Sequence, residues 1–150
     1  MATQDDVERR LRALLETQPL AVVATSRDGR PYGSLVAFVA TDDLRHIVFA
    51  TSRSTRKFGN LAENPRVAVV VDDRLNDRAD FHRACAATAT GPAEALAGAE
   101  REGMARLFLD RHPHLADFLA SSNVALVRVT VEAYQFVSRF QEVMELRPSP

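Results

Sequence analysis

Apolar residues recur along the chain at two different spacings, and these spacings predict its helices and strands. Near the N-terminus they lie three or four residues apart, at Val7, Leu11, Leu14 and Leu15. This spacing places them on one face of a helix. Thr3, followed three residues later by Asp6, is typical of a capped helix start. The pattern predicts a first helix that ends near Thr17.

Three antiparallel strands are predicted between residues 19 and 50. The runs PLAVVATS and RPYGSLVAFVAT are rich in apolar and β-branched residues, and RDGR joins them. Asp28-Gly29 in this joint favours a hairpin, because Asp and Gly tolerate the positive φ of a type I′ turn. A second turn at TDDLR leads into a third strand, HIVFAT.

The remainder of the chain predicts further strands and two more helices. PRVAVVVDD is almost continuously apolar, which is typical of a central strand covered on both faces. The charged DRLNDRADFHR predicts a polar loop, and ACAATATGPAEAL predicts a long strand with a bend at Gly91-Pro92. Helical spacing follows in AGAEREGMARLFLDRHP and HPHLADFLAS. Alternating strands then close the chain in NVALVRVTVEAYQFVSRF, and the tail RPSP is predicted to fray.

These elements predict one domain over residues 1–150, mainly β with flanking helices. Hairpin connections dominate, so the sheet is expected to be an antiparallel barrel or closed sheet decorated by helices. A chain of 150 residues with 46% hydrophobic residues is large enough to build its own core.

Charge and composition narrow the classes of partner. The formal net charge of −1 gives no overall field to attract nucleic acid or an anionic membrane, so neither partner is expected. No apolar run approaches the roughly 20 residues that cross a bilayer. Cys85 is the only cysteine, which excludes an internal disulfide. The N-terminal residues are acidic and polar, which is not typical of a secretory signal, so a cytoplasmic location is expected.

The stretch ATSRSTRKFGNLAENP combines hydroxyls and two adjacent cations at the start of a predicted helix. Phe58, Leu61 and Ala62 form the apolar stripe of that helix, and Ser54 or Thr55 is its predicted N-cap. Unpaired N–H groups and a partial positive charge at a helix start favour an anion there. Two cations would oppose that charge unless an anion lay between them. Phosphate binding and ordinary capping beside solvated cations both remain open on these residues alone.

Three stretches in order resemble the pyridoxamine 5′-phosphate oxidase-like family of FMN-binding split barrels. They are AVVATSRDGRPYGSLVAFV, HIVFATSRSTRKFGNLAENPRVAVVV and ATATGPAEAL. The likeness is strongest where the hydroxyl-rich strand end is followed by RK, NL and NP. It implies a split β-barrel with antiparallel, Greek-key-like connections and FMN as cofactor.

The resemblance also implies roles for individual residues. Arg56 and Lys57 would hold the FMN phosphate, with Ala50, Thr51 and Ser52 beside it. Backbone groups of Ser34, Leu35 and Val36 would line the edge of the flavin ring. Two chains would share each flavin across a homodimer interface, and the activity would be flavin-dependent oxidoreduction of an unknown small-molecule substrate. No catalytic side chain and no metal ligand is predicted.

Departures from the family pattern leave the substrate and the ligand open. The oxidase has basic residues on the second strand where this chain has Ser34 and Val39, and this chain has no Trp. Oxidation of pyridoxamine phosphate is therefore not expected. The later chain resembles the haem-utilisation branch, which tends to have glycines at Ser138 and Arg139 and a C-terminal His ligand, and no His follows His114. A haem-binding split-barrel protein and a deazaflavin-dependent reductase stay as alternatives.

Other candidate groups give weaker signals. His112 and His114 have a spacing that suits a metal, but no second cysteine or carboxylate cluster accompanies them, so they are expected to be solvated. Cys85 is expected to be a small buried filler. The carboxylates of the polar loop alternate with arginines, which is typical of a solvated connection.

Overall fold

The computed structural model describes residues 3–139 and 142–150, which form helices packed on a β-barrel. The helices are α1 Gln4–Thr17, α2 Arg56–Glu63, α3 Asp80–Arg83, α4 Gly98–Arg111 and α5 Ala116–Ala120, with a 3₁₀ turn at Pro113–Leu115. The strands are β1 Leu20–Arg27, β2 Arg30–Ala40, β3 His46–Ser52, β4 Arg66–Asp72, β5 Ala86–Ala95, β6 Val124–Thr130, β7 Ala133–Ser138 and β8 Glu142–Leu146. This mainly β architecture confirms the predicted class.

Six of the strands close into an antiparallel barrel. The sheet order is β4-β1-β2-β3-β6-β5-β7-β8, and the additional pairing of β4 with β5 closes the ring. Every pair is antiparallel. β7 and β8 extend the sheet from the first half of β5. Closure pairs the second edge of β4, which would be exposed in an open sheet.

Local sequence signals place the first elements as predicted. Thr3 and Asp6 form a reciprocal capping box at the start of α1, which satisfies two otherwise unpaired N–H groups. Asp28 and Gly29 have φ values of 52° and 74°, so both central residues of the β1–β2 turn have the positive φ of a type I′ turn. The hairpin register follows from that turn, with Arg27 opposite Arg30.

Two hydrophobic clusters lie on either side of the barrel wall. The inner cluster fills the barrel and includes the apolar face of α1, Val7, Leu11, Leu14 and Leu15. The outer cluster packs α4 and α5 against the strands, with Phe108 and Leu119 against Val48, Val124 and Leu126. The apolar surface of β6 is thus covered by helices of the same chain. β4 alternates buried and half-buried residues, so in a single chain its second face is less covered than predicted.

The long strand β5 changes its partner at Gly91-Pro92, the position predicted for a bend. Residues 86–90 pair with β7, whereas residues 93–95 pair with β6. Between them, a Cβ added to Gly91 would lie 1.8 Å from the carbonyl oxygen of Thr130. Only glycine lets the β6–β7 corner pack this closely against the strand.

Two short elements were not predicted. The polar loop after β4 contains α3, because the Asp80 carboxylate accepts hydrogen bonds from the backbone N–H groups of Leu75, Asn76 and Asp77. The stretch before the C-terminal tail forms β8, which pairs with β7 through Val137 opposite Val143. Phe140, which ends the predicted run of alternating strands, lies outside the described residues.

Candidate functional site

A cleft opens where β2 and β3 separate. The two strands pair only from Phe38 opposite Phe49 to Ala40 opposite Ile47. Residues 30–37 of β2 pair with β1 alone in the described part of the chain. The wall of the barrel is therefore split on this side, and the β2 edge that faces β3 has backbone groups without a strand partner.

The separated strand ends, the start of α2 and the helices α4 and α5 line this cleft, which we call the split cleft. Its volume is about 400 Å³, within the range of about 300–1,000 Å³ of small-molecule sites. Its lining residues are Leu35, Val36, Ala37, Ala50, Thr51, Ser52, Thr55, Lys57, Phe108, Leu115 and Phe118. Six of the eight residues predicted from the sequence meet here: Leu35, Val36, Ala50, Thr51, Ser52 and Lys57.

Hydroxyl groups at the floor of the split cleft are linked to the start of α2. Thr55 is the N-cap, and its Oγ1 accepts a 3.3 Å hydrogen bond from the Phe58 N–H. The same hydroxyl donates to the Ser52 carbonyl at 2.8 Å and lies 3.2 Å from Thr51 Oγ1. These bonds fix the hydroxyls beside the first turn of the helix, whose N–H groups favour an anion.

Lys57 is the charged residue of the split cleft. Its Nζ donates a 2.8 Å hydrogen bond to Thr51 Oγ1, and it forms no ion pair among the described residues. Partial burial of the ammonium group lowers the pKa of Lys57 below its ordinary value of 10.5, because burial disfavours the charged form. An anion bound next to Nζ would relieve this cost.

Asn123, just before β6, is hydrogen-bonded to these hydroxyl side chains. The sequence analysis did not single it out. Its Nδ2 donates a 2.8 Å hydrogen bond to Ser52 Oγ, which in turn lies 2.8 Å from Ser54 Oγ. Its carbonyl accepts a 2.7 Å hydrogen bond from the Arg53 N–H. Asn123 thus ties the loop before α2 to a strand more than 70 residues later, a contact that local sequence does not encode.

Arg56 and Ser34, the other two predicted residues, do not line the split cleft. Arg56 is exposed and its guanidinium carbon lies 5.2 Å from the centroid of the Tyr32 ring, in a neighbouring cleft. Ser34 is half-buried, and its buried Oγ has no hydrogen-bond partner among the residues that the structure describes. In α2 itself, Leu61 is buried as predicted, whereas Ala62 is exposed and Asn60 is buried in its place.

The apolar wall of the split cleft comes from a part of the chain that the sequence did not connect with the site. Phe108 is fully buried, and Leu115 is half-buried. Leu35 and Phe118 are 65% and 41% exposed. Helical spacing indicated that Phe108 faces a core, but which strand surface it covers depends on how α4 packs.

The end of α4 is anchored to α1 and β2 by the side chains of Arg111 and His112. Arg111 donates hydrogen bonds to the carbonyls of Leu15 at 2.8 Å and Glu16 at 2.9 Å, which satisfies carbonyls at the C-terminus of α1. Burial lowers the pKa of Arg111. His112 is 3% exposed and its Nε2 lies 2.7 Å from the Phe38 carbonyl. His112 is therefore a buried anchor, and the expectation of a solvated histidine was wrong.

Within residues 3–139 and 142–150, no three His, Cys, Asp or Glu side chains converge to hold a metal ion. None of the described helices is long and apolar enough to span a membrane. Cys85 is half-buried rather than buried, and Arg10 lies 3.3 Å from its sulfur.

Comparison with solved structures identifies the same fold in other proteins. A haem-binding protein from Mycobacterium smegmatis superposes with a TM-score of 0.84 at 17% identity; the match covers 98% of this chain and 60% of that one. The haem storage protein HutZ from Vibrio cholerae gives 0.73 at 19% identity over 84% of this chain and 90% of that one. An FAD-binding protein from Mesorhizobium loti gives 0.69 at 17% identity over 85% and 91%.

The chain thus spans about three fifths of the length of the Mycobacterium protein, and identities this low concern the fold alone. The search of curated proteins gave no significant match. The sequence profile of pyridoxamine 5′-phosphate oxidase, in contrast, matches residues 7–138. That match covers most of the chain, including every strand of the barrel and the whole split cleft, so the chain belongs to the pyridoxamine 5′-phosphate oxidase-like family of split-barrel proteins.

Proposed function

We propose that this protein binds FMN in the split cleft and is a flavin-dependent oxidoreductase. The observation that carries the proposal is Lys57, whose ammonium group lies in the cleft beside Thr51 and the start of α2 and has no ion pair among residues 3–139 and 142–150. A phosphate placed there would accept hydrogen bonds from Nζ, from hydroxyls and from backbone N–H groups. Because the Arg56 side chain lies in the neighbouring cleft, we leave it out of this phosphate site.

The walls of the split cleft suit the flat flavin ring. Leu35 and Phe118 supply exposed apolar surface, and the edge of β2, which has no strand partner there in the described part of the chain, supplies backbone donors and acceptors. A few fixed polar groups on a dry wall are typical of a cofactor site. In this proposal Val36 and Ala50 flank the ring, and Ser34 lies just beyond it on β2.

Bound flavin would supply the redox chemistry by exchanging a hydride at N5, so the site needs no catalytic side chain of its own. The residues of this chain orient the ring, exclude water with Phe108 and Phe118, and neutralise the phosphate with Lys57. The substrate is proposed not to be pyridoxamine phosphate. Val39, at a position where the oxidase has a basic residue, is 6% exposed and packs in the outer cluster, so it cannot contact a substrate phosphate.

A homodimer is part of the proposal. Leu35 and Phe118 are large apolar residues that remain 65% and 41% exposed at the mouth of the split cleft. A second copy lying across this mouth would cover them and enclose the flavin from the open side. An obligate interface of this kind buries about 2,000 Å² or more.

Haem binding is the second candidate, and the similarity of the fold to two haem proteins favours it. Two of the proteins that share this fold are a haem-binding and a haem storage protein. The exposed His114 precedes Leu115, which lines the split cleft. This exposed histidine would be the candidate iron ligand.

The absorption spectrum of the purified protein tests both candidates and the deazaflavin alternative. FMN gives two bands, in the near ultraviolet and the blue, haem gives a Soret band, and deazaflavin gives one violet-blue band. If the protein is purified without a ligand, each compound is titrated in turn and its affinity compared. Haem or deazaflavin binding more tightly than FMN would contradict the flavin proposal.

A further inference from the structure

A further cleft opens between α1, the β2–β3 turn and α4. Its volume is about 350 Å³, which suits a small ligand. We call it the acidic cleft, and its walls include Leu15 and Glu16 of α1, Asp42 of the turn, and Leu107 and Asp110 of α4. None of its lining residues lines the split cleft, so a ligand bound here would not displace the proposed flavin.

The floor of the acidic cleft is apolar. Leu15, Val39 and Leu44 are 2%, 6% and 3% exposed, and Leu107 is half-buried. All four line the cleft. An apolar floor with a few polar groups around it is typical of a small-molecule site. A ligand with a hydrocarbon group would cover these side chains and remove apolar surface from water.

The two arginines of the acidic cleft already have partners. Arg12 is paired with Glu8, since its Nη2 lies 2.8 Å from Glu8 Oε1. Burial lowers the pKa of Arg111, and the negative charge of Glu16 acts in the opposite direction. Glu16 therefore offsets part of the charge of Arg111, and neither guanidinium group is free to pair with the remaining carboxylates of the cleft.

Those remaining carboxylates are Asp42 and Asp110. Both are exposed, and neither side chain forms an ion pair or a hydrogen bond within residues 3–139 and 142–150. Asp110 lies in the last turn of α4, where the negative end of the helix dipole disfavours a carboxylate. A cation bound in the acidic cleft would offset this repulsion.

Hydrogen bonds hold the walls of the acidic cleft together. Arg111 donates to the carbonyl of Leu15 in α1 at 2.8 Å and to the carbonyl of Phe38 in β2 at 3.4 Å. Arg12 donates through Nη1 to the backbone carbonyl of Asp42, which fixes the β2–β3 turn against α1. Preorganised walls lower the cost of ordering the site when a ligand binds.

We propose that the acidic cleft binds a small organic amine. Its protonated nitrogen would pair with the carboxylates of Asp42 and Asp110 through charge-assisted hydrogen bonds, and its hydrocarbon group would cover Leu15 and Leu107. A metal ion matches less well, because no three His, Cys, Asp or Glu side chains converge to hold one in the described part of the chain. Charge and apolar surface together favour an amine over an anion or a neutral molecule of the same shape.

Benzylamine is the probe for this site, titrated at neutral pH and constant ionic strength into the ¹⁵N-labelled full chain. The backbone amide signals of Thr41 and Leu107 report on the acidic cleft, and those of Thr51 and Thr55 report on the split cleft. Saturable shifts at Thr41 and Leu107 are expected with benzylamine. Benzyl alcohol and benzoate, its neutral and anionic analogues, should bind roughly tenfold or more weakly, because they lose the charge-assisted contact. Methylamine, which lacks the ring, should also bind more weakly.

Two double variants separate the acidic cleft from general charge effects. Asp42→Asn with Asp110→Asn should weaken benzylamine binding by roughly tenfold or more, and the fold should be retained because both side chains are exposed. The matched control is Glu102→Gln with Asp117→Asn. Both of these carboxylates are exposed, form no ion pair in the described structure and lie outside the cleft, so this control should leave the affinity unchanged.

Three results would overturn the proposal. They are an absence of saturable shifts at Thr41 and Leu107, binding of benzoate or benzyl alcohol as tight as that of benzylamine, and an equal loss of affinity in the control variant. The outcome does not depend on FMN binding, which is measured separately at the split cleft.

Discussion

Lys57 and Arg56 are adjacent in sequence but line different clefts, so we expect them to differ in their effect on FMN binding. The sequence predicted that both hold one phosphate. The structure places Lys57 with Thr51 in the split cleft and Arg56 over Tyr32 in the neighbouring cleft. An exposed and a half-buried cation also differ in how strongly an anion is attracted, because partial burial weakens solvent screening.

Lys57→Ala is expected to weaken FMN binding, whereas Arg56→Ala should change it much less. Loss of one charge-assisted contact costs about 1.5–3 kcal/mol, or roughly ten- to a hundred-fold in affinity. Fluorescence titration with FMN measures the effect. Riboflavin, which lacks the phosphate, is the control ligand, and its affinity should hardly change in Lys57→Ala. Equal losses for both ligands would place the defect in the ring pocket or the fold.

The pH dependence of FMN binding should also report on Lys57. Burial lowers the pKa of Lys57 in the free protein, and a bound phosphate would raise it by favouring the charged ammonium group. FMN affinity should therefore fall as the pH rises through the lowered pKa, before the ordinary value of 10.5 is reached. Titrations at increasing alkaline pH, with riboflavin in parallel, should show this additional fall for FMN in the wild type. Its persistence in Lys57→Ala would assign it to another group.

Asn123 is expected to act as a positioning residue for the hydroxyls. Asn123→Ala removes the hydrogen bond to Ser52 Oγ, and loss of one neutral hydrogen bond costs about 0.5–1.5 kcal/mol. FMN affinity should fall by a few-fold to tenfold, with riboflavin affinity unchanged. Asn123→Asp should reduce FMN binding further, because it replaces a donor with a negative charge beside the phosphate. An Asp variant that binds FMN as well as the wild type would exclude Asn123 from the site.

At the scale of elements, the separation of β2 from β3 creates the split cleft. β2 pairs with β1 along residues 30–37, but with β3 only at residues 38–40. The remaining wall is closed by α4 and α5 instead of by strand pairing. Residues 30–37 of β2 therefore form no ladder hydrogen bonds with β3 in the described structure, and their backbone groups face the split cleft instead.

The partner change along β5 makes Gly91 a sensitive position for stability. Gly91→Ala is expected to destabilise the fold by about 1–3 kcal/mol or more, because the new Cβ would collide with the Thr130 carbonyl. Gly103→Ala is the matched control, since Gly103 lies within α4 and a Cβ there meets nothing within 4 Å. That change should stabilise α4 by about 0.5–1 kcal/mol. Urea unfolding measures both, and a Gly91→Ala variant as stable as the wild type would contradict the close approach.

At the scale of the whole molecule, the exposed apolar residues suggest where a second copy binds. β4 and β6 both carry apolar runs, but β6 is covered by α4 and α5 of the same chain. Leu35 and Phe118 at the mouth of the split cleft remain exposed. We therefore propose that these two residues, and not β6, lie in the dimer interface.

Leu35→Lys is expected to weaken the dimer and FMN binding together, because the second copy is proposed to close the cleft. Sedimentation at micromolar concentration should show a dimer for the wild type and a shift towards the 16.6 kDa monomer for the variant. Leu75→Lys is the control, since Leu75 is equally exposed at 67% but does not line the cleft. A wild-type protein that sediments only as the monomer would contradict the proposed dimer.

The sequence by itself determined the elements whose signals are local. Capping at Thr3 and Thr55, the type I′ turn at Asp28-Gly29 and the alternation of the strands each depend on residues within a few positions of one another. The resemblance of three stretches to a known family then predicted the barrel and eight site residues, of which six line the split cleft. β8 and α3 were missed because a short edge strand and a single helical turn have weak local signals.

Only the tertiary structure decided which distant residues complete each cleft. Phe108, Leu115 and Phe118 reach the split cleft because α4 and α5 pack across β3 and β6. Asn123 is hydrogen-bonded to Ser52, and His112 is buried against the Phe38 carbonyl. Each of these contacts joins two residues that are about 70 positions apart in the sequence. The direction of Arg56 and Lys57 into different clefts also depends on how α2 packs against the β1–β2 hairpin. Local propensity fixes backbone conformation, whereas the surroundings of a side chain depend on the packing of elements far apart in sequence.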